Sequence, residues 1–195
     1  MAAKTSLHPS NLRLNISGSA ALPTPTKSSW TDLSGGNVLL ERYGMTEVGM
    51  ALSCGLPFSE RVDGSVGWPL PDVEVRLVDA ESGVVIPEDS EEKEGEIQLR
   101  GATVFEEYWG NEEATREEFV EDGDTKSVDL SDEGRREGGG RKWFKTGDIA
   151  VRRVVPGLEA KGPAYFILGR KSTDIIKTGG EKVSALEVER ELLAL

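Results

Sequence analysis

The strongest constraint on what this chain can fold into is a period-two alternation of apolar and polar residues. It runs through 73–78 (VEVRLV) and again through 95–101 (GEIQLRG), with a turn signal at 81–83 between them. Successive side chains of a β-strand point to opposite faces, so the alternation indicates strands. Short strands separated by such turns predict an antiparallel sheet or a small β-barrel.

The first 64 residues follow a different pattern. Residues 12–16 alternate between apolar and polar, which predicts a strand, and the small residues SGSAA follow at 17–21. A short helix is predicted around 30–33, and the apolar run at 38–40 predicts a buried strand. Alternating strand and helix signals favour an α/β layer in this part of the chain.

The later segments combine a helix, a loop and further strands. Asn111 is in position to cap a short acidic helix that extends to residue 119. The segment 121–141 is polar, charged and rich in glycine, which is typical of a surface loop. Strand signals return at 143–144 and 165–168, and Ser184 begins a capping-box pattern for a final helix.

Composition limits the chemistry. The chain has 195 residues and a formal net charge of -12, so nucleic acid is not an expected partner. Cys54 is the single cysteine, which excludes an internal disulfide, and we expect it to be a small buried apolar group. His8 is the single histidine, so the usual zinc clusters and a Ser-His-Asp triad have too few residues. Catalysis here would depend on carboxylates, hydroxyls, cations and backbone groups.

The sequence contains no membrane or targeting signal. No stretch approaches the roughly 18 to 20 apolar residues that are needed to span a bilayer. Residues 1–9 lack both the apolar core of a signal peptide and the arginine-rich pattern of a transit peptide. We therefore expect a soluble protein, cytoplasmic or mitochondrial, with no targeting segment in this chain.

The segment YGMTE at 43–47 offers groups suited to a nucleotide. Tyr43 has a flat face for stacking on a base, and Gly44 permits a ligand to approach the backbone closely. Thr46 has a hydroxyl that can donate to a phosphate oxygen, and Glu47 has a hard oxygen ligand suited to Mg²⁺. The alternative for this segment is a strand end followed by a turn.

Two short motifs further along add polar groups. Asp148 of the sequence TGD can accept two hydrogen bonds from a ribose diol. Arg170, after a glycine, has a fork of donors for ribose or phosphate oxygens. Taken alone, the first motif is very weak evidence and is simply a turn in the alternative interpretation. The alternative for Arg170 is a surface ion pair, the usual role of an arginine.

Taken together, the ordered motifs resemble the adenylate-forming, AMP-binding superfamily, which includes acyl-CoA synthetases, peptide-synthetase adenylation domains and luciferases. The motifs that carry the resemblance are SGSAA at 17–21, YGMTE at 43–47, GEIQLRG at 95–101, FKTGD at 144–148 and GRKSTDIIKTGGEKVSALEVE at 169–189. The resemblance covers about residues 12–195. It implies an α/β fold with a mixed sheet and a small antiparallel β-barrel, of which this chain is a fragment.

The resemblance also implies a division into three parts. Residues 1–64 would end the α/β part of a large N-terminal AMP-binding domain. Residues 65–169 would form a β-barrel-like subdomain of the same domain, with a loop insertion at 121–141. Residues 170–195 would hold the hinge and the start of a small C-terminal domain.

The reaction implied by the resemblance uses ATP, Mg²⁺ and coenzyme A. A carboxylate attacks the α-phosphate of ATP to give an acyl-adenylate, and the thiol of coenzyme A then displaces AMP. Carried over by motif, the residues expected to contact ATP or AMP are Ser19, Ala20, Tyr43, Gly44, Thr46, Asp148 and Arg170. Thr46 and Glu47 would be catalytic, with Glu47 also the metal ligand. Lys171 and Ser172 are the hinge candidates, and Gly179 and Gly180 would lie near the thiol.

Arg42, directly before YGMTE, indicates the substrate class. A guanidinium beside the acyl pocket can bind a second carboxylate through a bidentate contact, and Arg42 and Met45 are the residues expected at the acid. The run ERYGMTE at 41–47, with 174–189, is most similar to the malonyl-CoA synthetase branch, so malonate or methylmalonate is the expected substrate. The alternatives are that Arg42 pairs with Glu41 or another acid, and that the substrate is a fatty or medium-chain acid.

Two parts of the family pattern are not found. The phosphate loop with its lysine is expected before residue 1, and the catalytic lysine of the C-terminal domain is expected after residue 195. Removing a positioned donor commonly costs on the order of 10²-fold or more in rate. We therefore expect an acid–thiol ligase by family whose activity in this chain alone is impaired or lost. A truncated, non-catalytic AMP-binding fragment is the alternative.

Overall fold

A computed structural model of the chain describes residues 8–121, 142–179 and 181–193. The predicted insertion at 121–141 lies outside these residues, apart from residue 121, and so does Gly180. No helix in the described ranges is long and apolar enough to cross a membrane.

The first sheet has four strands and is mixed. In the order in which they pair, the strands are β1 (Ile16–Ser17), β2 (Leu40–Met45), β3 (Gly49–Ser53) and β4 (Trp68–Pro69). β1 and β2 are parallel, and the other pairs are antiparallel. The predicted strand over 12–16 is wrong in extent. Because β2 begins only at Leu40, which stands opposite Ile16, the residues before Ile16 have no strand to pair with.

A helix makes the connection that a parallel pair of strands requires. Helix α1 spans Thr24–Leu33, so it is longer than the helix predicted around 30–33. It begins after Pro23 and has a proline in its first turn, where the missing N–H is not needed. Gly35 and Gly36, directly beyond its end, both have positive φ, so the helix stops where the sequence indicated.

The second sheet contains six antiparallel strands, as the alternation predicted. They are β5 (Val73–Val78), β6 (Val85–Ile86), β7 (Gly95–Gly101), β8 (Phe119–Glu121), β9 (Lys142–Arg153) and β10 (Ala164–Arg170). The order is β10-β9-β7-β5-β6, with β8 also paired to β9. Within the described residues the outer strands β10 and β6 do not pair, so the sheet is a curled half-barrel rather than a closed barrel.

One apolar core joins the two sheets. Its members include Val48 of the β2–β3 turn, Leu52 of the first sheet, and Leu77, Ile97 and Leu99 of the second. The turn between β2 and β3 is therefore fixed against the half-barrel, which brings the motif at 43–47 close to β9.

Outside the two sheets, the described residues also form two shorter α-helices, a hairpin and three short 3₁₀ helices (Pro9–Asn11, Phe58–Glu60 and Glu159–Lys161). Helix α2 (Glu112–Glu118) is capped as predicted, since the Asn111 side chain accepts the N–H of Ala114 at 3.1 Å. β11 (Ile175–Thr178) and β12 (Glu181–Ser184) form a hairpin that leads into α3 (Ala185–Leu193). The Ser184 hydroxyl accepts the N–H of Glu187 at 3.2 Å, which confirms the predicted cap.

Candidate active site

The β2–β3 hairpin presents the first motif. Tyr43 and Gly44 lie in β2, and Thr46 and Glu47 form the turn that follows. A side chain at Gly44 would overlap the backbone carbonyl of Gly49 on the opposite strand. Only glycine allows the strands to approach this closely, so packing of the hairpin is enough to explain the glycine after Tyr43.

A single carboxylate connects three of the motifs. The Tyr43 hydroxyl donates to Oδ2 of Asp148 at 2.7 Å, and Nε of Arg170 lies 3.3 Å from Oδ1 of the same side chain. Burial raises the pKa of Asp148, and the contacts with Tyr43 and Arg170 oppose that rise. Burial also raises the pKa of Tyr43, which keeps its hydroxyl protonated as a donor. The three side chains form one polar cluster at the edge of the core.

The TGD motif is part of strand β9, so its interpretation as a turn is wrong. The Thr146 hydroxyl donates to the carbonyl of Ile97 at 2.9 Å and accepts the N–H of Asp148 at 3.1 Å. Gly147 has φ 73°, a left-handed conformation that favours glycine. The register between β7 and β9 shifts beside this point. The irregularity directs Asp148 toward Tyr43.

Glu47 is held by a segment that lies outside the predicted motifs. Oε1 of Glu47 accepts the Tyr108 hydroxyl at 3.1 Å, and its backbone carbonyl accepts the N–H of Phe105 at 2.8 Å. Burial and the hydrogen bond to Glu47 raise the pKa of Tyr108 to about 12. Tyr108 lies 61 residues from Glu47, and no local pattern in the sequence links the two.

The small-residue segment passes beside β2. Ser19 and Ala20 are exposed, and Ser19 has φ 69°, which is uncommon for a residue with a side chain. A Cβ at Gly18 would lie 3.3 Å from the backbone carbonyl of Arg42. The segment therefore runs close to the strand that carries the first motif.

Arg42 does not pair with its neighbour. Glu41 is buried and bonds instead to Nζ of Lys27 at 3.0 Å, and Lys27 also contacts Asp63 at 2.7 Å. In the ranges that the structure describes, Arg42 forms no ion pair, and its buried Nε has no hydrogen-bond partner. Met45, the other predicted acid contact, packs against the main core. The structure thus leaves the Arg42 side chain with unused donor capacity.

The hinge candidates adjoin the TGD segment. The N–H of Lys171 donates to the carbonyl of Gly147 at 2.9 Å, and its Nζ lies 3.7 Å from Oε2 of Glu96. The other oxygen of Glu96 accepts the N–H of Gly147 at 3.2 Å. Ser172 is exposed, and Gly179 lies in the turn between β11 and β12.

Other features of the described residues lie apart from this cluster. A cavity of about 550 Å³ lies beside Asp79, Lys93 and Lys182, and none of the predicted site residues lines it. Cys54 is buried, and burial raises its pKa to about 11, so the prediction of a small buried group is confirmed. The described residues contain no group of three or more His, Cys, Asp or Glu side chains that could hold a metal.

Comparison with known proteins identifies the family. The model for the AMP-binding enzyme family matches residues 1–109. The chain belongs to the AMP-binding enzyme family. A CoA ligase of Gibberella moniliformis is 59% identical over 100% of this chain and 32% of its own length. The mitochondrial malonate–CoA ligase ACSF3 of Homo sapiens is 45% identical over 94% of this chain and 30% of its own.

Solved structures agree on the fold. ATP-bound MatB from Rhodopseudomonas palustris superposes with a TM-score of 0.72 at 36% identity, over 94% of this chain and 30% of that protein. A malonyl-CoA ligase with methylmalonyl-CoA and AMP bound gives a TM-score of 0.62 at 38% identity, over 95% and 33%. The predicted family and fold class are confirmed, and this chain spans about a third of the length of these relatives.

Proposed function

We propose that this chain is part of an ATP-dependent acid–CoA ligase whose acid is malonate or methylmalonate. The observation that carries the proposal is the state of Arg42, which is half-buried and has an Nε without a hydrogen-bond partner. Arg42 directly precedes Tyr43, the tyrosine of the polar cluster. The relatives named malonate–CoA ligase, at 45% identity, support the same acid.

The polar cluster fits the ribose and base of AMP. Among the residues that the structure describes, each oxygen of the Asp148 carboxylate has one partner, Tyr43 or Arg170. An ionised carboxylate has roughly four acceptor positions. The remaining positions can accept both hydroxyls of a ribose. The ring of Tyr43 packs in the apolar core, which leaves little of it for the predicted stacking on a base, so Tyr43 would act on the nucleotide chiefly through its bond to Asp148. Gly44, Ser19 and Ala20 would provide bare or small neighbours for the base.

Thr46 and Glu47 are suited to the phosphates and to Mg²⁺. Magnesium is usually held by one or two carboxylates, with phosphates and water completing an octahedron, so a single carboxylate is sufficient. Glu47 is restrained at its backbone and at Oε1, which leaves Oε2 for the ion. Bound there, the ion would offset repulsion between the carboxylate substrate and the phosphates. The Thr46 hydroxyl, exposed in the same turn, donates to a phosphate oxygen.

The carboxylic acid substrate would be recognised by the positive charge of Arg42. Arg42 would bind the distal carboxylate of a dicarboxylic acid through its fork of donors, while the other carboxylate attacks the α-phosphate. A fatty or medium-chain acid would leave the buried Nε of Arg42 without a partner, which costs free energy. Met45, which packs against the main core, would be an apolar neighbour of the acid.

The second half-reaction and the domain arrangement are also proposals. Residues 1–64 and 65–169 would belong to the large AMP-binding domain, and 170–195 would hold the hinge and the start of a C-terminal domain. Lys171 and Ser172 would turn about the contact with Gly147, and Gly179 and Gly180 would admit the thiol of coenzyme A. The mitochondrial relatives favour a mitochondrial setting for the whole enzyme.

Binding and exchange measurements test the proposal. Calorimetry with AMP should detect binding by this chain, and Asp148→Ala should weaken it by about tenfold or more, because a good hydrogen bond to a charged group is worth about 1.5–3 kcal/mol. ATP–pyrophosphate exchange is then measured with malonate, methylmalonate and octanoate. Arg42→Ala should abolish the preference for dicarboxylates without changing AMP affinity, and Arg42→Lys should retain part of it. An unchanged acid preference in Arg42→Ala would contradict the substrate assignment.

The second candidate function is nucleotide binding without ligase activity. The polar cluster of Tyr43, Asp148 and Arg170 favours it, because these side chains suit a nucleotide whether or not the acid is activated. AMP binding with no malonate-dependent exchange would support it over the ligase. Exchange by the chain itself would exclude it, and absence of AMP binding would contradict both candidates.

A further inference from the structure

We propose that Tyr108 is a positioning residue that holds the Glu47 carboxylate in the orientation needed to bind a divalent cation together with a nucleotide. This inference rests on the proposed function, in which Glu47 is the metal ligand. It adds a residue that no motif of the family resemblance included.

Glu47 needs an external restraint because it lies in a turn. The residues between β2 and β3 form the turn itself, so neither strand restrains the side chain of Glu47. Tyr108 supplies the restraint by donating its hydroxyl to Oε1 at 3.1 Å. The backbone N–H of Phe105 fixes the carbonyl of the same residue at 2.8 Å. Glu47 is therefore fixed at two points by one segment.

That segment is itself anchored to the core. The rings of Phe105 and Tyr108 meet edge to face at 4.7 Å, and Phe105 meets Phe144 of β9 in the same way at 5.2 Å. The backbone N–H of Tyr108 donates to the Thr115 hydroxyl of α2 at 3.0 Å. The hydroxyl that contacts Glu47 is thus connected through rings and backbone to the strand that carries Asp148.

A neutral donor suits this position better than a cation. A phenol can fix one carboxylate oxygen and leave the negative charge of the group intact for a metal ion. A lysine or arginine at the same place would offset that charge and compete with the ion. Partners of this kind around metal ligands typically contribute 10- to 100-fold in metal affinity or activity.

The test compares Tyr108→Phe with the wild-type chain, using Mn²⁺ as the probe and measuring its binding in the presence of ATP by electron paramagnetic resonance. The variant keeps the ring that packs on Phe105 and loses only the hydroxyl. We expect Mn²⁺ to bind about tenfold more weakly, with metal-free AMP affinity unchanged. Tyr165→Phe, at a buried tyrosine outside the cluster, is the matched control and should bind Mn²⁺ as the wild type does.

A double-mutant cycle separates positioning from a structural role. If Tyr108 acts through Glu47, Tyr108→Phe should cause no further loss of Mn²⁺ affinity in a Glu47→Gln background. Equal losses in both backgrounds, or wild-type affinity in Tyr108→Phe alone, would overturn the inference and leave the proposed function standing. A wild-type chain that binds AMP but no Mn²⁺ with ATP would overturn the metal site and this inference together.

Discussion

The hydroxyl of Tyr43 donates to Oδ2 of Asp148 at 2.7 Å, across 105 residues of sequence. This bond links the β2–β3 hairpin to strand β9, and Arg170 of β10 approaches the other oxygen of the same carboxylate. Residues from three separate motifs therefore depend on one buried acid. Removing individual partners of that acid should reveal how much each contributes.

Tyr43→Phe removes the donor and keeps the ring. Because hydrogen bonds to charged groups contribute about 1.5–3 kcal/mol, we expect the free energy of unfolding to fall by about that amount. Urea denaturation at neutral pH measures it. In an Asp148→Asn background the same change should cost less, since the charged acceptor is absent. An equal cost in both backgrounds would contradict a bond to the charged carboxylate.

The pH dependence of stability should carry a signature of Asp148. Its pKa in the folded chain lies above 3.8, chiefly because the group is buried. A raised pKa means that the folded state binds the proton more tightly than the unfolded state does. The resulting stabilisation is fully present below 3.8 and is lost as the pH rises through the folded pKa.

The direction of the Asp148 pKa shift determines how stability should change with pH. Urea denaturation from pH 7 downward should show the wild-type chain gaining stability relative to Asp148→Asn. The gain should grow as the pH falls through the window above 3.8. Parallel stability curves for the two proteins over that window would show that the carboxyl is not perturbed.

Lys27 should be much more important for stability than an exposed lysine. Lys27 and Glu41 form an ion pair whose side chains are 5% and 8% exposed, so Lys27→Met leaves a buried charge without its partner. Breaking such a pair costs about 3–5 kcal/mol. Lys142, whose bridge to Glu121 is more than half exposed on both sides, provides the control, with an expected loss of at most about 1 kcal/mol. Urea denaturation of Lys27→Met and Lys142→Met measures the two losses of unfolding free energy. Losses of similar size would contradict the prediction.

Two glycines of the same hairpin should respond differently to alanine. At Gly44 a Cβ meets the backbone carbonyl of Gly49, which cannot rotate away, so we expect Gly44→Ala to cost about 3 kcal/mol or more. Gly49 has φ 66°, and a Cβ added there would meet no atom within 4 Å, so Gly49→Ala should cost only the left-handed penalty of about 1–2 kcal/mol. Thermal or urea unfolding distinguishes the two, and a reversed order would contradict the packing argument.

The local pattern of the sequence predicted several elements of the fold correctly. The alternation at 73–78 and 95–101 predicted antiparallel strands, and the caps at Asn111 and Ser184 were recognised from residue type and spacing. It failed at 12–16, where the alternating pattern is present but the partner strand begins too late to pair with it.

The contacts that hold the site together could not be predicted. Glu41 accepts a hydrogen bond from Lys27 of α1, and Glu47 accepts one from Tyr108, because the tertiary fold brings distant segments together. The motif at 43–47 named the residues that would bind a nucleotide. It contained no information on which side chains restrain them, and Tyr108, the partner of Glu47, lies 61 residues away.

The pairing of β8 with β9 has a consequence for how this part of the chain can change over evolution. Glu121 of β8 is paired with Lys142 of β9, so the two ends of the intervening sequence are held side by side whatever its length. Each doubling of such a connection costs only about 0.6 kcal/mol of closure entropy. Insertions and deletions between these two residues should therefore be tolerated, while Asp148, further along β9, keeps its place beside Tyr43.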